Sequence, residues 1–233
     1  MRIEYLYPEL GNLFGDSANI KYLMLCVPNA ELIRTRPGET PAFSDGADFV
    51  CLGPMTERGQ KIAAAALAPW AEALMKRVDE GTHFLFTGNS MEILGKEIRS
   101  ANALIPGLGL LDMHSETDLK ARYNGFFLGE ADGITITAFN SRFSHSYPGG
   151  DTDGFAAVKR GIGINPGALS EGVRLKNLIG TYLLGPLLPL NPDWTKKLLS
   201  SLGTDADPVF YTEAKEAYEK RLAEFSDPRR KLD

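Results

Sequence analysis

The first 95 residues alternate short apolar runs with segments of helical character, and this alternation restricts the chain to very few folds. Strands are predicted at Arg2–Tyr7, Ala30–Thr35, Asp48–Gly53 and His83–Thr87. Helical segments follow the first, third and fourth of these runs. Because strands joined in this way by helices run parallel, the pattern predicts a parallel sheet with helices on both faces.

Helix boundaries in this half carry recognisable end signals. Asp16 is placed to cap a helix that ends near Cys26, and Thr56 is placed to cap one that runs from Glu57 to about Leu67. Pro69 suits the start of a further helix, Trp70–Asp79, which Gly81 would close. Residues 88–95 are predicted to form a sharp turn into a short helix.

The second half has shorter and less regular elements. Strands are predicted at Gly107–Leu111, Ala121–Leu128, Gly133–Ala138 and Gly154–Lys159. Residues 174–184 lead into a Pro-rich stretch, Gly185–Pro192, and a helix is predicted at Asp193–Ser201. The whole predicts an α/β fold, a three-layer, doubly wound and mostly parallel sheet of flavodoxin-like type. We expect one domain over residues 1–203 and a helical extension with a polar tail over residues 204–233.

Charge and composition exclude several classes of protein. The net charge of −5 argues against a nucleic-acid binder, which normally carries a basic face. No apolar run reaches the roughly 20 residues that span a bilayer, and the N-terminus has no signal-peptide pattern. The two cysteines, Cys26 and Cys51, form no metal or disulfide motif, and the three histidines lack ligand spacing. We therefore expect a cytoplasmic protein with no cofactor, no metal and no membrane insertion.

The carboxyl ends of the predicted parallel strands are the expected place for a ligand site. Three segments should meet there, namely residues 53–56, 87–90 and 138–147. A strand followed by a tight turn and a helix start is the geometry of a nucleophile elbow, where backbone N–H groups can stabilise a thiolate or an oxyanion. The predicted pocket comprises Gly53, Pro54, Met55, Thr87, Gly88, Asn89, Ser90 and Glu92.

Four ordered segments resemble motifs of class I glutamine amidotransferases of the CobB/CobQ-like branch. They are Leu6–Ile20 (LYPELGNLFGDSANI), Phe86–Lys96 (FTGNSMEILGK), Ile105–Glu116 (IPGLGLLDMHSE) and Asn177–Pro189 (NLIGTYLLGPLLP). The second is similar to the family's nucleophile segment, Cys-Gly-Gly-Tyr-Gln-x-Leu-Gly, and the fourth to its GTYLHGPLLP motif. Within the branch, the likeness is nearest to the amidotransferase subunits of lipid II isoglutaminyl synthases.

This sequence differs from the family's motifs at the positions of the family's catalytic residues. The resemblance places Gly88 at the catalytic cysteine and Leu184 at the general-base histidine. Asn89 and Ser90 stand at the next two glycines, and Glu92 stands at the glutamine. Loss of a triad nucleophile costs on the order of 10⁶ in rate, so the resemblance implies a pseudo-amidotransferase.

The family's oxyanion-hole loop, usually Gly-Gly-Gly, corresponds here to Gly53-Pro54-Met55. Pro54 has no N–H to donate. Candidate substitutes for the missing groups are Ser90 as nucleophile and His145 as base. His145 aligns loosely with an arginine that contacts glutamine in the family.

Glu92 admits two interpretations. It is either a surface carboxylate paired with Lys96 four residues on, or a pocket carboxylate that favours a cationic or ammonium-bearing ligand. The C-terminal segment also admits two interpretations. The apolar face of Tyr211–Phe225 can pack on its own domain or can dock a partner protein.

The resemblance implies a non-catalytic or regulatory subunit of a Mur-ligase-like, ATP-dependent amide ligase, acting on a cell-wall precursor or in cobyric-acid-type amidation. One alternative is a stand-alone module that binds a small amine or amino acid. The other is an active amidotransferase or hydrolase with relocated catalytic residues.

Overall fold

The computed structural model, which describes residues 1–150 and 152–232, begins with the predicted alternation of strands and helices. The elements of the first half are β1 (Arg2–Leu6), α1 (Ala18–Cys26), β2 (Glu31–Thr35), β3 (Phe49–Leu52), α2 (Glu57–Leu67), α3 (Ala71–Asp79) and β4 (His83–Thr87). A 3-10 helix, Gly88–Leu94, follows β4 directly. The strands and α-helices of this half differ from the predicted bounds only at their end residues.

The second half is richer in strands than its sequence predicts. Its elements are β5 (Glu97–Ser100), β6 (Ala103–Pro106), β7 (Met113–Thr117), β8 (Tyr123–Ala131), β9 (Ile134–Arg142), β10 (Ser144–Pro148), β11 (Ala156–Arg160), β12 (Ser170–Glu171), β13 (Val173–Leu175), β14 (Leu178–Thr181), β15 (Leu183–Leu184), α4 (Leu187–Leu190), α5 (Pro192–Ser201) and α6 (Tyr211–Ser226).

The predicted strand at Gly107–Leu111 is wrong. This segment instead turns around the end of the 3-10 helix, with Leu108 N donating to Ile93 O at 2.8 Å and Leu110 N donating to Leu94 O at 3.0 Å. Gly109 has a φ of +66°, which is incompatible with an extended strand. The glycines therefore mark a turn.

The central sheet has six strands in the order β13-β14-β4-β3-β1-β2, and all but β13 run parallel. From β2 across to β14, the order is that of a flavodoxin-like, doubly wound fold. Alternate side chains along the strands enter two separate cores. Val50 and Phe84 pack toward α2 and α3, whereas Cys51 and Leu85 pack toward α1 and α5. The sheet is thus the middle of three layers, as predicted.

Two smaller sheets flank this core, one with the order β10-β7-β5-β6 and one with the order β12-β11-β8-β9-β15. The second is built on the long antiparallel pair β8–β9, with Phe127 opposite Ala138. This pair carries residues 141–144 to the carboxyl-end edge of the central sheet, where they join the cavity described below.

Helix α6 packs back on its own chain. Tyr218 Oη donates to the Thr135 carbonyl at 2.8 Å, and Arg221 Nε donates to Thr137 Oγ1 at 2.9 Å. Phe225 lies with its ring centroid 5.0 Å from that of Phe126. Of the helices in the described ranges, none is long and apolar enough to cross a membrane.

One of the two predicted helix caps is present. Thr56 Oγ1 accepts a hydrogen bond from Gly59 N at 3.1 Å at the start of α2, which confirms that cap. The Asp16 cap is wrong, because its carboxylate is buried and accepts from the side chains of Asn19 and Thr87 rather than from backbone N–H groups of α1. An aspartate before a helix has the same sequence signature whether it caps the helix or is buried beneath it, so the sequence did not distinguish these two roles of Asp16.

Candidate functional site

A cavity of about 220 Å³ opens at the carboxyl ends of the central strands. Its wall is formed by residues 13–14, 54–57, 60, 88–89, 122 and 141–144. Four predicted pocket residues, Pro54, Met55, Gly88 and Asn89, belong to this wall. The other four predicted residues, Gly53, Thr87, Ser90 and Glu92, are buried behind it.

The turn after β4 retains the backbone of a nucleophile elbow but presents no side chain. Gly88 directly follows β4 and has a φ of +59°. A Cβ atom added at Gly88 would lie 2.5 Å from Cβ of Pro54, far inside van der Waals contact. The pyrrolidine ring therefore occupies the direction in which a side chain at position 88 would leave the backbone.

The loop after β3 is held in place by close packing and by an amide clamp. A Cβ at Gly53 would meet the Gly11 carbonyl oxygen at 2.3 Å, so this contact requires glycine. Asn89 Oδ1 accepts from Met55 N at 2.9 Å, while Asn89 Nδ2 donates to Met55 O at 2.9 Å. Since Pro54 has no N–H and the Met55 N–H is already bonded, neither group is free to stabilise an oxyanion.

Leu184, which the resemblance places at the position of the family's base, is a fully buried side chain of β15 paired with Phe139 of β9. Ser90 is also fully buried, and its Oγ lies 2.8 Å from Leu52 O and 2.7 Å from Thr87 O. The Ser90 hydroxyl is thus engaged with backbone carbonyls at the foot of the turn.

His145 lies in β10, where its Nδ1 is 3.5 Å from Arg142 Nη2 and its ring packs edge-on against Tyr123. Burial and the nearby Arg142 charge lower the pKa of His145 to about 4. Among the described residues, no hydrogen bond joins His145 to Ser90. The structure therefore does not assemble these two groups into a nucleophile–base pair.

The predicted surface pairing of Glu92 with Lys96 is wrong. Glu92 is fully buried, and its carboxylate accepts from Gln60 Nε2 at 2.7 Å and from Tyr182 Oη at 3.0 Å. Burial raises the pKa of Glu92 to about 7. Lys96 instead pairs with Asp112 at 2.6 Å. The α-helical spacing of Glu92 and Lys96 fails because residues 88–94 form a 3-10 helix that ends at Leu94, before Lys96.

Sequence reasoning missed the two arginines of the cavity. Arg122 stands at the rim, with Nη2 donating to Ser141 Oγ at 2.8 Å. Arg142 is only 5% exposed and lies with its guanidinium carbon 4.1 Å from the Tyr182 ring centroid. No local pattern marks a buried arginine, because its burial follows from the pairing of β8 with β9 and from the position of Tyr182.

Buried hydrogen bonds join the segments that resembled family motifs. Thr87 Oγ1 donates to Asp16 Oδ2 at 2.7 Å, which ties the opening segment to the elbow. Leu188 N donates to Asn19 Oδ1 at 2.8 Å. Tyr182 Oη links Glu92 to Ser146, which bonds Ser115 in turn. Two buried groups of hydrogen bonds, one around Asp16 and one around Tyr182, thus join segments that are far apart in the chain.

The remaining candidates lie away from the elbow or are engaged in packing. Cys51 lies in the middle of β3 and Cys26 at the end of α1, and burial raises the pKa of both thiols. His83 begins β4, and its Nε2 lies 3.0 Å from Ser201 Oγ. His114 stacks on Tyr147. Within residues 1–150 and 152–232, no three potential metal ligands cluster.

Comparison with known proteins gives consistent results. The CobB/CobQ-like glutamine amidotransferase domain family matches residues 2–192. Subunit GatD of the glutamine-hydrolyzing lipid II isoglutaminyl synthase of Staphylococcus aureus (strain N315) is 31% identical over 196 residues, covering 83% of this chain and 78% of that protein. The GatD subunit of Streptococcus pneumoniae (strain ATCC BAA-255 / R6) is 24% identical over 209 residues, covering 86% and 80%.

Solved structures with a similar fold include a glutamine amidotransferase. A crystal structure of a glutamine amidotransferase superposes with a TM-score of 0.58 at 16% identity, covering 86% of this chain and 99% of that one.

Proposed function

Since this chain belongs to the CobB/CobQ-like glutamine amidotransferase family, we propose that it keeps the family's fold and subunit role but does not hydrolyse glutamine. In this role it serves as a non-catalytic or regulatory subunit of a Mur-ligase-like, ATP-dependent amide ligase. The proposal separates two properties that the family normally combines, the supply of ammonia and the assembly with a partner.

The observation that carries the proposal is the packing of Pro54 against Gly88. Glutamine hydrolysis by this fold needs a thiolate at the elbow, activated by an adjacent base. Gly88 has no side chain. The Cβ atom of Pro54 lies 2.5 Å from where a Cβ atom at position 88 would be, so Pro54 occupies the space that a side chain there would need. The absence of a side chain at position 88 is thus complemented by the packing of Pro54.

Three further features support the absence of hydrolysis. Leu184 offers no proton acceptor at the base position. The Met55 N–H is occupied by Asn89. Both cysteines are buried away from the elbow, in α1 and β3. Loss of one oxyanion donor alone costs roughly 10²–10³ in rate, so the combined deficit leaves no route of useful speed.

The likeness to the two GatD subunits supports the choice of partner, because each of them is a subunit of lipid II isoglutaminyl synthase. The test is co-expression with the Mur-ligase-like protein encoded nearest to this chain, followed by purification and an amidation assay. We expect a stable complex that amidates its acceptor with ammonium chloride and does not do so with glutamine.

Each outcome of this test is informative. A complex that uses glutamine as well as ammonium would overturn the loss of hydrolysis. Failure of the two chains to co-purify, with each one folded, would overturn the subunit role and favour a stand-alone binding module.

A further inference from the structure

Strand β2 forms one edge of the central sheet and leaves backbone groups unpaired. Among the described residues, its only neighbour in the sheet is β1. Glu31 N donates to Met1 O at 2.9 Å, so alternate residues from Glu31 onward face β1. Because successive residues of a strand face opposite ways, the N–H and C=O groups of Leu32 and Arg34 point away from the sheet. Such an edge can accept a further strand.

A groove of about 580 Å³, here called the edge groove, lies beside this edge, between β2 and α1. Its apolar lining includes Met24, Leu25 and Leu32, and Leu25 is 57% exposed. Leu32 and Arg34 both belong to this lining, so the groove and the free backbone groups form one surface. Exposed apolar surface of this kind marks interaction sites. The edge groove shares no residue with the wall of the cavity at the elbow.

The charged side chains that line the edge groove are both basic. They are Lys21 of α1 and Arg34 of β2, and both residues are exposed. The neighbouring Arg2 pairs with Glu31 at 3.5 Å, whereas within the described ranges no carboxylate lies at ion-pair distance from Lys21 or Arg34. The chain as a whole has a net charge of −5, so this excess of positive charge is local. It favours an acidic partner.

We propose that the edge groove binds an extended acidic segment of a partner protein, which adds to β2 as an antiparallel strand. The segment exchanges backbone hydrogen bonds with Leu32 and Arg34. The side chains opposite these two residues enter the groove, where an apolar one packs on Leu32 and a carboxylate pairs with Arg34. This inference goes beyond the proposed function, because the surface lies away from the elbow and involves no glutamine chemistry.

A second copy of this chain fits the edge less well. Two β2 strands paired antiparallel about a twofold axis through Ile33 would place Leu32 of each copy opposite Arg34 of the other. The two Arg34 side chains would then be diagonal neighbours on one face of the joined sheet, with both Lys21 side chains on that same face. Like charges so placed are destabilising. The charge of the edge groove therefore favours an acidic segment over self-association.

The test is isothermal titration of the full chain with three capped peptides at fixed ionic strength. The first, acetyl-Ser-Thr-Glu-Val-Ile-Thr-Ser-amide, places its Glu opposite Arg34 and its Ile opposite Leu32. The second has Lys in place of Glu, and the third carries N-methyl groups on Glu and Ile, which remove the two pairing N–H donors. We expect saturable binding of the first peptide, binding at least about fivefold weaker for the second, and no saturable binding of the third.

Charge reversal on the protein locates the site. Arg34→Glu should invert the preference, so that the lysine peptide binds at least about fivefold more tightly than the glutamate peptide. Arg58→Glu is the matched control, because Arg58 is an exposed arginine on α2 outside the edge groove, and it should leave the preference unchanged. Lys21→Glu should reduce the preference as well, and it decides the question if Arg34→Glu does not fold.

Four results would overturn the inference. They are the absence of saturable binding of the glutamate peptide, equal binding of its N-methylated form, a preference for glutamate that the folded charge-reversal variants retain, and a dimer of the chain that the peptide dissociates in sedimentation experiments. The last result would assign the edge to a second copy. These measurements use the chain without glutamine or a ligase, so this failure is distinct from failure of the proposed function.

Discussion

At the scale of single residues, Gly88 and Pro54 define the site together. A φ of +59° is strained for any residue with a Cβ, and nucleophile elbows store that strain for function. Glycine adopts the same conformation without strain, so the turn has the backbone shape of an elbow although no side chain projects from position 88. Pro54 then packs into the freed space, which makes the two positions energetically dependent on each other.

The dependence can be measured by restoring a side chain at the elbow. Gly88→Cys should lower the free energy of unfolding by about 2–4 kcal/mol, because it adds both a strained φ and a clash with Pro54. Because Pro54→Gly removes the clash, the double variant should be about 1–2 kcal/mol more stable than the sum of the two single effects. Urea unfolding of the two single variants and the double variant gives the coupling energy.

Gly109→Cys is the matched control for this pair. Gly109 has a similar φ of +66°, and a Cβ there meets nothing within 4 Å. The loss of stability in Gly109→Cys should therefore reflect backbone strain alone, and Pro54→Gly should not change it. Additive effects of Gly88→Cys and Pro54→Gly would contradict the packing account.

Asp16 provides a second residue-scale prediction. Burial raises the pKa of Asp16 to about 6, so the folded chain keeps a proton that the unfolded chain releases near its ordinary value of 3.8. The contribution of Asp16 to the free energy of unfolding is greatest below that value and falls as the pH rises toward 6. Asp16→Asn should remove this component.

The measurement compares the free energy of unfolding of the original chain and of Asp16→Asn between pH 4 and pH 7. The asparagine can accept from Asn19 and donate to Thr87 Oγ1, whose own hydrogen can turn to Leu52 O. The stability of the variant relative to the original chain should increase with pH across this window. The exposed substitution Glu216→Gln serves as the control, and a difference that stays constant for Asp16→Asn would refute the account.

At the scale of elements, local signals predicted the first half of the chain and failed in part of the second. Apolar runs such as that of β3 and caps such as Thr56 are strong local determinants. Strands β7 (MHSET) and β10 (SHSYP) have neither alternation nor an apolar run. They are strands because they pair with each other across 27 or more residues, with hydroxyl pairs such as Ser115 and Ser146 buried between them.

Helix α6 is the element whose role the sequence left most open. Tyr218 and Phe225 are buried, and Arg221 bonds back to Thr137 of β9. This supports packing on the chain's own sheet over a free docking face. The prediction that residues 204–233 form a separate extension depends on how much this packing contributes to the free energy of unfolding.

Phe225→Ala tests that contribution. Phe225 is 7% exposed and packs against Phe126, Leu128 and Leu232, so its loss should cost about 3 kcal/mol in the free energy of unfolding. Phe210→Ala, at the start of the same helix, is the control because Phe210 is 68% exposed. It should change stability by no more than about 0.5 kcal/mol. Equal small effects would mean that α6 docks only weakly.

At the scale of the whole molecule, the fold class and the place of the site follow from the order of strands and helices. Parallel strands β3 and β4 bring Pro54 and Gly88 together at their carboxyl ends, and the antiparallel pair β8–β9 adds residues 141–144 to the same cavity. The electrostatics of the site could not be predicted in the same way. Arg142 and Glu92 are buried by contacts between distant segments, and nothing in their immediate sequence indicates it.

The central claim concerns the molecule as a catalyst, and the release of ammonia from glutamine tests it most directly. The assay uses the purified chain alone and with the proposed Mur-ligase-like partner, together with the variants Ser90→Ala and His145→Ala. The account predicts no release above the protein-free rate in any of these samples. Release by the original chain that either substitution abolishes would contradict it, because a relocated nucleophile or base would then be at work.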